Sequence, residues 1–264
     1  MTTKHVFIGY DPRDDLAYKI AERSLLKHCE IDVEIHPLID TQLRQSGHYY
    51  RSYRVDKTGQ MFDDRDGKPF STQFSFTRFC VPLVCDLEGI YDTVLFCDPD
   101  VMFRADVGEL FKLWDSKYDL MCVQHNQTVS ETTKMDGVIQ TPNTHGRKNW
   151  SSVMLMDPRM CTPMPRRVSE KDKRGGITRY LVNSQTGSYL HSLAWLDDED
   201  IGPLPSEWNY LVGYSDPDSV EPKLVHYTLG TPDMVNMTEF GDEWWAYASQ
   251  EEIRWAERKS GIVY

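Results

Sequence analysis

The sequence predicts an α/β protein whose central sheet contains parallel strands. A short apolar run at residues 6–9 ends in a glycine and has the length of a buried strand. Turn residues follow it, and apolar side chains then recur at helical spacing over residues 16–25. Residues 32–38 alternate between apolar and polar side chains, as a second strand does. Strand, helix and strand in this order form the βαβ unit of a parallel sheet.

The rest of the chain continues the same alternation of elements. Residues 40–70 are polar and rich in Tyr, Arg, Asp and Gly, so we expect an irregular excursion there. Residues 125–150 lack periodicity, and the basic stretch 163–176 reads as an exposed loop. The other predicted elements are a helix over 74–87 interrupted at Pro82, strands at 93–97, 120–123, 153–156 and 223–226, and helices at 107–114 and 242–259.

Composition limits the classes of protein that the chain can represent. A length of 264 residues with 40% hydrophobic residues is enough for the core of one large domain. The 29 basic and 41 acidic residues give a net charge of −12, which argues against a generally basic surface for nucleic acid. The basic residues of 163–176 still leave a modified nucleic acid open as a partner.

Six cysteines are present, and no two have C-x-x-C spacing. We therefore expect buried thiols in a reducing compartment, without a disulfide framework and without a zinc site. The first residues are too weakly apolar for a signal peptide, and no run reaches the roughly 20 apolar residues of a membrane span. A cytoplasmic protein is the expectation.

The clearest chemical motif is a pair of carboxylates that follows the apolar strand at 93–97. Asp98 and Asp100 are separated only by Pro99. Ligands of open α/β sheets bind beyond the carboxyl ends of the strands, and carboxylates held there suit a hard divalent cation. Such a cation would neutralise the phosphates of a nucleotide donor. An isolated motif of this kind is also compatible with a plain Asp-Pro turn.

Other polar residues flank predicted strands in a way that fits the same site. Arg78, on the helix upstream, can pair with the carboxylates or reach a phosphate. Asn149 and Ser151 stand at the entrance of the strand at 153–156 and can hydrogen-bond sugar hydroxyls. His226 ends a late strand and can complete a metal site, and Gly230 allows close approach of the backbone to a phosphate. Each of these residues alone also has an ordinary structural explanation.

In this order, the motifs resemble glycosyltransferase family eight and its GT-A relatives over most of residues 5–232. The family shares a first strand with nucleotide contacts, an upstream Arg, the D-x-D motif, an N-[AS]-G-V-like strand and a late H-x-x-G. The chain resembles a group of bacterial and phage glycosyltransferase-like proteins more closely than it resembles the family as a whole. That likeness rests on K-M-D-G at 134–137, R-K-N-W-S-S at 147–152 and the L-P-x-x-W-N turn at 204–209.

The resemblance implies a single GT-A domain over 1–264, with a mixed central sheet and a C-terminal helical segment at about 240–264. It implies transfer of a sugar from a nucleotide-diphosphate donor, with uridine and retention of configuration favoured, to a glycan or other hydroxyl acceptor. Mn²⁺ or Mg²⁺ would be held by Asp98, Asp100 and His226. The implied catalytic set is Asp98, Asp100, Asn149 and Gln185. The implied donor contacts are Gly9, Tyr10, Asp11, Arg78, Lys134, Arg147, Ser151 and Gly230.

One departure from the family pattern concerns the diphosphate. The family places a Lys after its H-x-x-G, whereas the residues that follow Gly230 here are Thr, Pro and Asp. Lys134, Arg147 and Lys148 are the predicted replacements, and Arg78 is a fourth candidate unless it pairs with the two carboxylates. Two other interpretations stay open. A nucleotidyltransferase would need a Gly-rich loop with a Lys near the first strand, and residues 9–13 do not form one. The second is a non-catalytic carbohydrate-binding protein of the same fold.

Overall fold

The structure is a computed structural model that describes residues 2–126, 146–161, 177–235 and 239–260, together with the backbone of two short strands between the first two ranges. The strands are β1 (Lys4–Gly9), β2 (Val33–Leu38), β3 (Tyr53–Val55), β4 (Met61–Asp63), β5 (Pro69–Phe70), β6 (Val94–Cys97), β7 (Val101–Phe103), β8 (Leu120–Cys122), β9 (Thr133–Lys134), β10 (Val138–Ile139), β11 (Val153–Met156), β12 (Ile201–Pro203), β13 (Tyr210–Leu211) and β14 (Leu224–His226). The helices are α1 (Asp15–His28), α2 (Asp40–Gln45), α3 (Phe74–Thr77), α4 (Val81–Glu88), α5 (Val107–Lys112), α6 (Arg179–Ser184), α7 (Gly187–His191), α8 (Gly241–Trp245) and α9 (Gln250–Ser260).

A six-stranded mixed sheet forms the centre of the fold. Its strand order is β12-β8-β11-β6-β1-β2. Strand β1 pairs in parallel with β2 and with β6, and β11 runs antiparallel between β6 and β8. The predicted βαβ start and the mixed central sheet are therefore confirmed. Val6, Phe7 and Ile8 have no exposed surface, because the sheet is covered on both faces.

Two antiparallel pairings gather polar residues at one edge of this sheet. Because β11 is antiparallel to β6, its first residue, Val153, lies opposite Cys97, the last residue of β6. The loop before β11 therefore meets the loop after β6. In a second sheet, of order β13-β14-β7, His226 lies opposite Val101. This register brings the end of β14 to the loop between β6 and β7.

The region predicted to be irregular, residues 40–70, is instead ordered. It contains α2 and a three-stranded antiparallel sheet made of β3, β4 and β5. A buried ion pair between Arg51 and Asp63 stabilises it, and Arg51 also donates to the Val182 carbonyl at 2.8 Å. Strands of two or three residues are too short to show an alternating pattern, which explains why the sequence prediction was wrong here.

The predicted helix over 74–87 is divided into α3, a 3-10 turn at Arg78–Cys80, and α4. Pro82 lies in the first turn of α4, where a backbone N–H has no partner within the helix. The proline therefore begins a helix and does not interrupt one.

The predicted helix over 242–259 is also two helices, α8 and α9. Ser249 caps the N-terminus of α9. Its hydroxyl accepts from the Glu252 N–H at 3.3 Å, and its own N–H donates to the Glu252 carboxylate at 2.7 Å. This reciprocal pair is a capping box, and it starts a new helix.

Some predicted features lie outside the described residues, among them the basic stretch 163–176 and most of the polar stretch 125–150. Within the described part of the chain, none of the helices combines the length and the apolar character needed to cross a membrane.

Candidate functional site

Asp98, Asp100 and His226 converge at the edge of the sheet. Each offers one ligand atom, and these atoms lie within 4.8 Å of one another. The backbone holds both carboxylates: the Asp98 N–H donates to the Ser152 carbonyl at 2.9 Å, and the Asp100 carbonyl accepts from the Tyr227 N–H at 2.9 Å. His226 is 2% exposed and Asp98 is 6% exposed, so the cluster lies below the protein surface at this edge of the sheet.

A hydrogen-bond network assigns the tautomer of His226. The Asn209 amide nitrogen donates to the Ser152 hydroxyl at 3.0 Å and to the Asn149 carbonyl at 3.3 Å. The Asn209 oxygen is therefore the acceptor for His226 Nδ1, at 2.9 Å. His226 Nε2 faces an Asp100 carboxylate oxygen at 3.5 Å.

This separation is longer than a typical hydrogen bond. Both atoms are of the kind that coordinate a divalent cation, and Asp98 offers a third ligand atom beside them. Two carboxylates and one oriented imidazole are a suitable donor set for Mn²⁺ or Mg²⁺, and a ligand histidine commonly donates its second nitrogen to a supporting residue, as His226 does to Asn209. The residues therefore fit a divalent metal.

Arg78 is buried behind the carboxylates and all of its nitrogens have partners. One terminal nitrogen lies 3.0 Å from Asp98 Oδ1, the other donates to the Ser151 carbonyl at 2.9 Å, and Nε donates to the Phe74 carbonyl at 3.1 Å. Arg78 thus positions Asp98. Its predicted contact with a donor phosphate stays a prediction.

Asn149 has a backbone conformation that few residues adopt, with φ at 63°. Asparagine tolerates this left-handed region better than most side chains. Its amide nitrogen is buried and has no hydrogen-bond partner in the described part of the chain. Buried donors are nearly always paired, so this one is available to a ligand hydroxyl. Nearby, the Ser151 hydroxyl lies 3.0 Å from His191 Nδ1.

Gly9 is the last residue of strand β1 and Tyr10 follows it, at the same edge. A side chain at Gly9 would place its Cβ 2.8 Å from the Cβ of Phe74, so packing alone requires a glycine there. The Tyr10 hydroxyl donates to Asp15 at 3.1 Å, and its ring is half-buried. Their nucleotide contacts stay predictions.

The Asp11 carboxylate has a structural role. It accepts from the Arg13 guanidinium at 3.0 and 2.6 Å and from the Gln73 N–H at 2.9 Å. Burial raises the pKa of Asp11, but these hydrogen bonds outweigh it and hold the pKa below its usual range. Asp11 has no exposed surface, and its nucleotide contact stays a prediction.

Arg147 is bonded to the segment after α7. Its guanidinium donates to the Ser192 carbonyl at 2.9 Å and to the Asp198 carboxylate at 2.6 Å. The side chain of Lys134 lies outside the described residues, although its backbone belongs to β9. Neither position gives evidence about diphosphate binding, and both assignments stay predictions.

Gly230 and Gln185 have defined backbone roles. Gly230 has φ at 130°, which favours glycine, and its N–H donates to the Tyr227 carbonyl at 2.9 Å. Gln185 ends α6, where its N–H donates to the Leu181 carbonyl at 3.0 Å, and its side chain is half-buried. The proposed ligand contacts of both residues stay predictions.

His125 was not among the site residues predicted from the sequence. It follows β8, and its Nε2 is buried without a hydrogen-bond partner in the described part of the chain. Burial, and then the neighbouring His226, lower the pKa of His125 to about 4, so this imidazole is neutral at pH 7. The available signal was its place just beyond a buried strand, which is the same signal that identified Asp98. Asn209 was visible only as part of a turn.

The fold that carries this site is the GT-A glycosyltransferase fold. The galactosyltransferase LgtC, solved with donor and acceptor sugar analogs, is similar over 96% of this chain and 99% of its own, with a TM-score of 0.57 at 15% identity. The bifunctional glycosyltransferase WbbM is similar over 99% of this chain, with a TM-score of 0.57 at 17% identity. The glycosyltransferase GlyE of Streptococcus pneumoniae is similar over all of this chain, with a TM-score of 0.56 at 16% identity. The chain spans 52% of WbbM and 65% of GlyE.

The chain belongs to the same family as Protein CDI of Arabidopsis thaliana. The two are 42% identical over 246 residues, which cover 90% of this chain and 83% of that protein. No protein-family model matches the chain.

Proposed function

We propose that the protein is a metal-dependent glycosyltransferase that moves a sugar from a nucleotide-diphosphate donor to an acceptor hydroxyl. The observation that carries the proposal is the convergence of Asp98, Asp100 and His226, with ligand atoms within 4.8 Å of one another, in a GT-A fold. Asp98, Asp100 and His226 would hold Mn²⁺ or Mg²⁺. A UDP-sugar, retention of configuration and a glycan acceptor follow from the family resemblance.

The chain supplies rigid support for each ligand of the metal. Asn209 orients His226, and Arg78 orients Asp98. When bound, a divalent cation neutralises the diphosphate and favours its departure. Asn149, whose buried amide nitrogen has no hydrogen-bond partner among the described residues, and Ser151, with its hydroxyl, would hydrogen-bond the sugar. Ligands held by buried partners are already arranged before substrate binds, which is the condition for electrostatic stabilisation of a transition state.

The charge of the diphosphate exceeds what one divalent cation cancels, so we propose an additional basic residue. Lys134, Arg147 and Lys148 remain the candidates, because all three belong to the segments that resemble the donor-binding region of the family. The Asp198 partner of Arg147 is 80% exposed, so a phosphate would compete with a screened carboxylate for the guanidinium.

The proposal is tested by donor hydrolysis in the presence of Mn²⁺. We expect the purified chain to release nucleoside diphosphate slowly from one member of a panel of nucleotide sugars. Asp100→Asn keeps the shape of the side chain but removes a ligand charge, and it should reduce the rate by at least about 100-fold. Asp86→Asn, an exposed change of the same charge on α4, is the matched control and should leave the rate unchanged.

Circular dichroism of both variants shows whether the fold is kept. Equal rates for Asp100→Asn and the parent chain would contradict the metal assignment. Binding of nucleotide sugars without any turnover, in either Mn²⁺ or Mg²⁺, would favour the non-catalytic carbohydrate-binding alternative.

A further inference from the structure

A second group of ligand-type side chains lies at the other end of strand β1. His5, Glu34 and His36 each offer an atom within 4.8 Å of the others. Parallel pairing of β1 with β2 sets His5 opposite Glu34, and His36 follows two residues later, so all three side chains share one face of the sheet. His5 lies four positions before Gly9 along β1, about 13 Å of strand. The group is therefore distinct from the site at Asp98.

We propose that His5, Glu34 and His36 form a zinc site. Tetrahedral zinc, with bonds of 2.0–2.1 Å to nitrogen, holds neighbouring ligand atoms about 3.3 Å apart. The observed separations lie on both sides of this value. His5 Nδ1 is 2.9 Å from His36 Nε2 and 3.7 Å from Glu34, and His36 Nε2 is 4.0 Å from the other Glu34 oxygen. Small side-chain rotations would bring all three to one ion.

The surroundings of His36 resemble the outer shell of a zinc ligand. Its second nitrogen, Nδ1, lies 3.9 Å from the Glu88 carboxylate, and its ring stacks on Phe7 with centroids 4.6 Å apart. A carboxylate behind a histidine and a packed ring both hold the imidazole in a ligating orientation. The contact with Phe7 also joins the site to the hydrophobic core.

The chemistry of the group favours zinc over the cations expected at Asp98. Two imidazoles and one carboxylate suit Zn²⁺, whereas Mg²⁺ and Mn²⁺ prefer oxygen ligands. The Glu34 side chain is 61% exposed, so an ion reaches the group from solvent and water can complete its coordination.

The expectation of no zinc site rested on cysteine spacing, and this group contains no cysteine. The two histidines are 31 residues apart and meet only through strand pairing. Because the unfolded chain does not hold these ligands together, zinc would bind the folded protein selectively and stabilise it.

The test uses the metal-free full chain without a polyhistidine tag, in an Asp100→Asn background that disables the first site. Zinc at 100 times its Kd should raise Tm by about 5–10 °C. Adding His36→Gln should abolish this shift, whereas adding His48→Gln, a half-buried histidine outside both groups, should leave it intact. Co²⁺ should give the strong visible absorption of a tetrahedral site, and His36→Gln should remove it.

Glu34→Gln provides a second measurement that does not disturb the buried side of the group. It should weaken zinc binding at least about 10-fold, measured by calorimetry. A zinc-dependent Tm shift that survives both His36→Gln and Glu34→Gln would overturn the proposal. So would the absence of any zinc response in the Asp100→Asn chain, which would leave His5 and His36 as a hydrogen-bonded pair only.

Discussion

The orientation of the His226 ring depends on the side-chain amide of Asn209. Asn209 uses both ends of its side chain: its nitrogen donates to Ser152, and its oxygen accepts from His226. Reversal of the amide would place a donor against the His226 nitrogen and break the bond to Ser152. This dependence makes Asn209 a positioning residue for the proposed metal site, although it is not a ligand.

Truncation of Asn209 should therefore weaken metal binding. We expect Asn209→Ala to reduce Mn²⁺ affinity by about 10- to 100-fold, because His226 loses the partner that fixes its tautomer. Asn183 is the matched control, since it is a similarly buried amide that bonds Tyr50 and His48 away from this site. Asn183→Ala should lower stability but not Mn²⁺ affinity. Calorimetric titration of both variants decides the question, and equal Mn²⁺ affinities would contradict the role of Asn209.

The last helix, α9, is attached to α1 through a single acidic residue. Glu252 accepts from two nitrogens of the Arg23 guanidinium, at 2.7 and 3.0 Å, and also caps its own helix through Ser249. The bonds from Arg23 are the main reason that the pKa of Glu252 falls from 4.5 to about 2. One carboxylate thus links helix initiation to helix docking.

This link predicts an acid-sensitive contribution to stability. A carboxylate whose pKa is lower in the folded state stabilises the protein fully above its unfolded pKa of about 4.5 and loses that effect as pH falls towards 2. We expect Glu252→Gln to lower the free energy of unfolding by about 1 kcal/mol at pH 7, because Arg23 is partly exposed and the pair is screened. Urea unfolding at about pH 7, 4.5 and 2.5 should show a difference that is nearly unchanged at pH 4.5 and much smaller at pH 2.5, because the effect is lost only as pH falls towards about 2.

Glu251→Gln is the control for this experiment. It removes the same charge from the same first turn of α9, but Glu251 is exposed. It should change stability little at any of these pH values. If Glu251→Gln and Glu252→Gln show the same pH dependence, the effect belongs to the helix dipole and not to the Arg23 pair.

The reactivity of the cysteine thiols can be used to follow unfolding of the whole molecule. All six cysteines are free, five are buried, and Cys29 is half-buried. Burial raises the pKa of Cys80, Cys85 and Cys122 to about 12. Because the thiolate is the reactive form, buried thiols should react only when the core opens.

We therefore expect a thiol reagent such as dithionitrobenzoate to modify one cysteine in the native chain and six after unfolding in urea. Cys29→Ser should leave the native chain unreactive and the unfolded chain with five reactive thiols, one fewer than the six of the parent. The five buried thiols should react together, at the rate of global unfolding. Rapid modification of more than one cysteine in the native chain would show that part of the core opens locally.

The sequence predicted an element correctly where its run of apolar residues was long, and failed where the element was short. Strands β1, β6 and β11 were predicted because each is a run of apolar residues buried on both faces. The sheet of β3, β4 and β5 was missed because its strands are short, and the ion pair of Arg51 with Asp63 beside it forms only in the folded chain. The break before α9 was missed although Ser249 and Glu252 have the spacing of a capping box, because the aromatic periodicity continues across it.

The sequence by itself determined the α/β class, the strand that ends at Asp98, and the pair of carboxylates one residue apart. These are local features, written in consecutive residues. Tertiary structure alone decided that Asn209 orients His226 towards Asp100, and that His5 meets His36. Those contacts depend on the register of strands that are far apart in the chain, and a shift of one residue in the register would send each side chain to the opposite face. No periodicity along the chain carries that information, because register is set by the packing of the complete sheet.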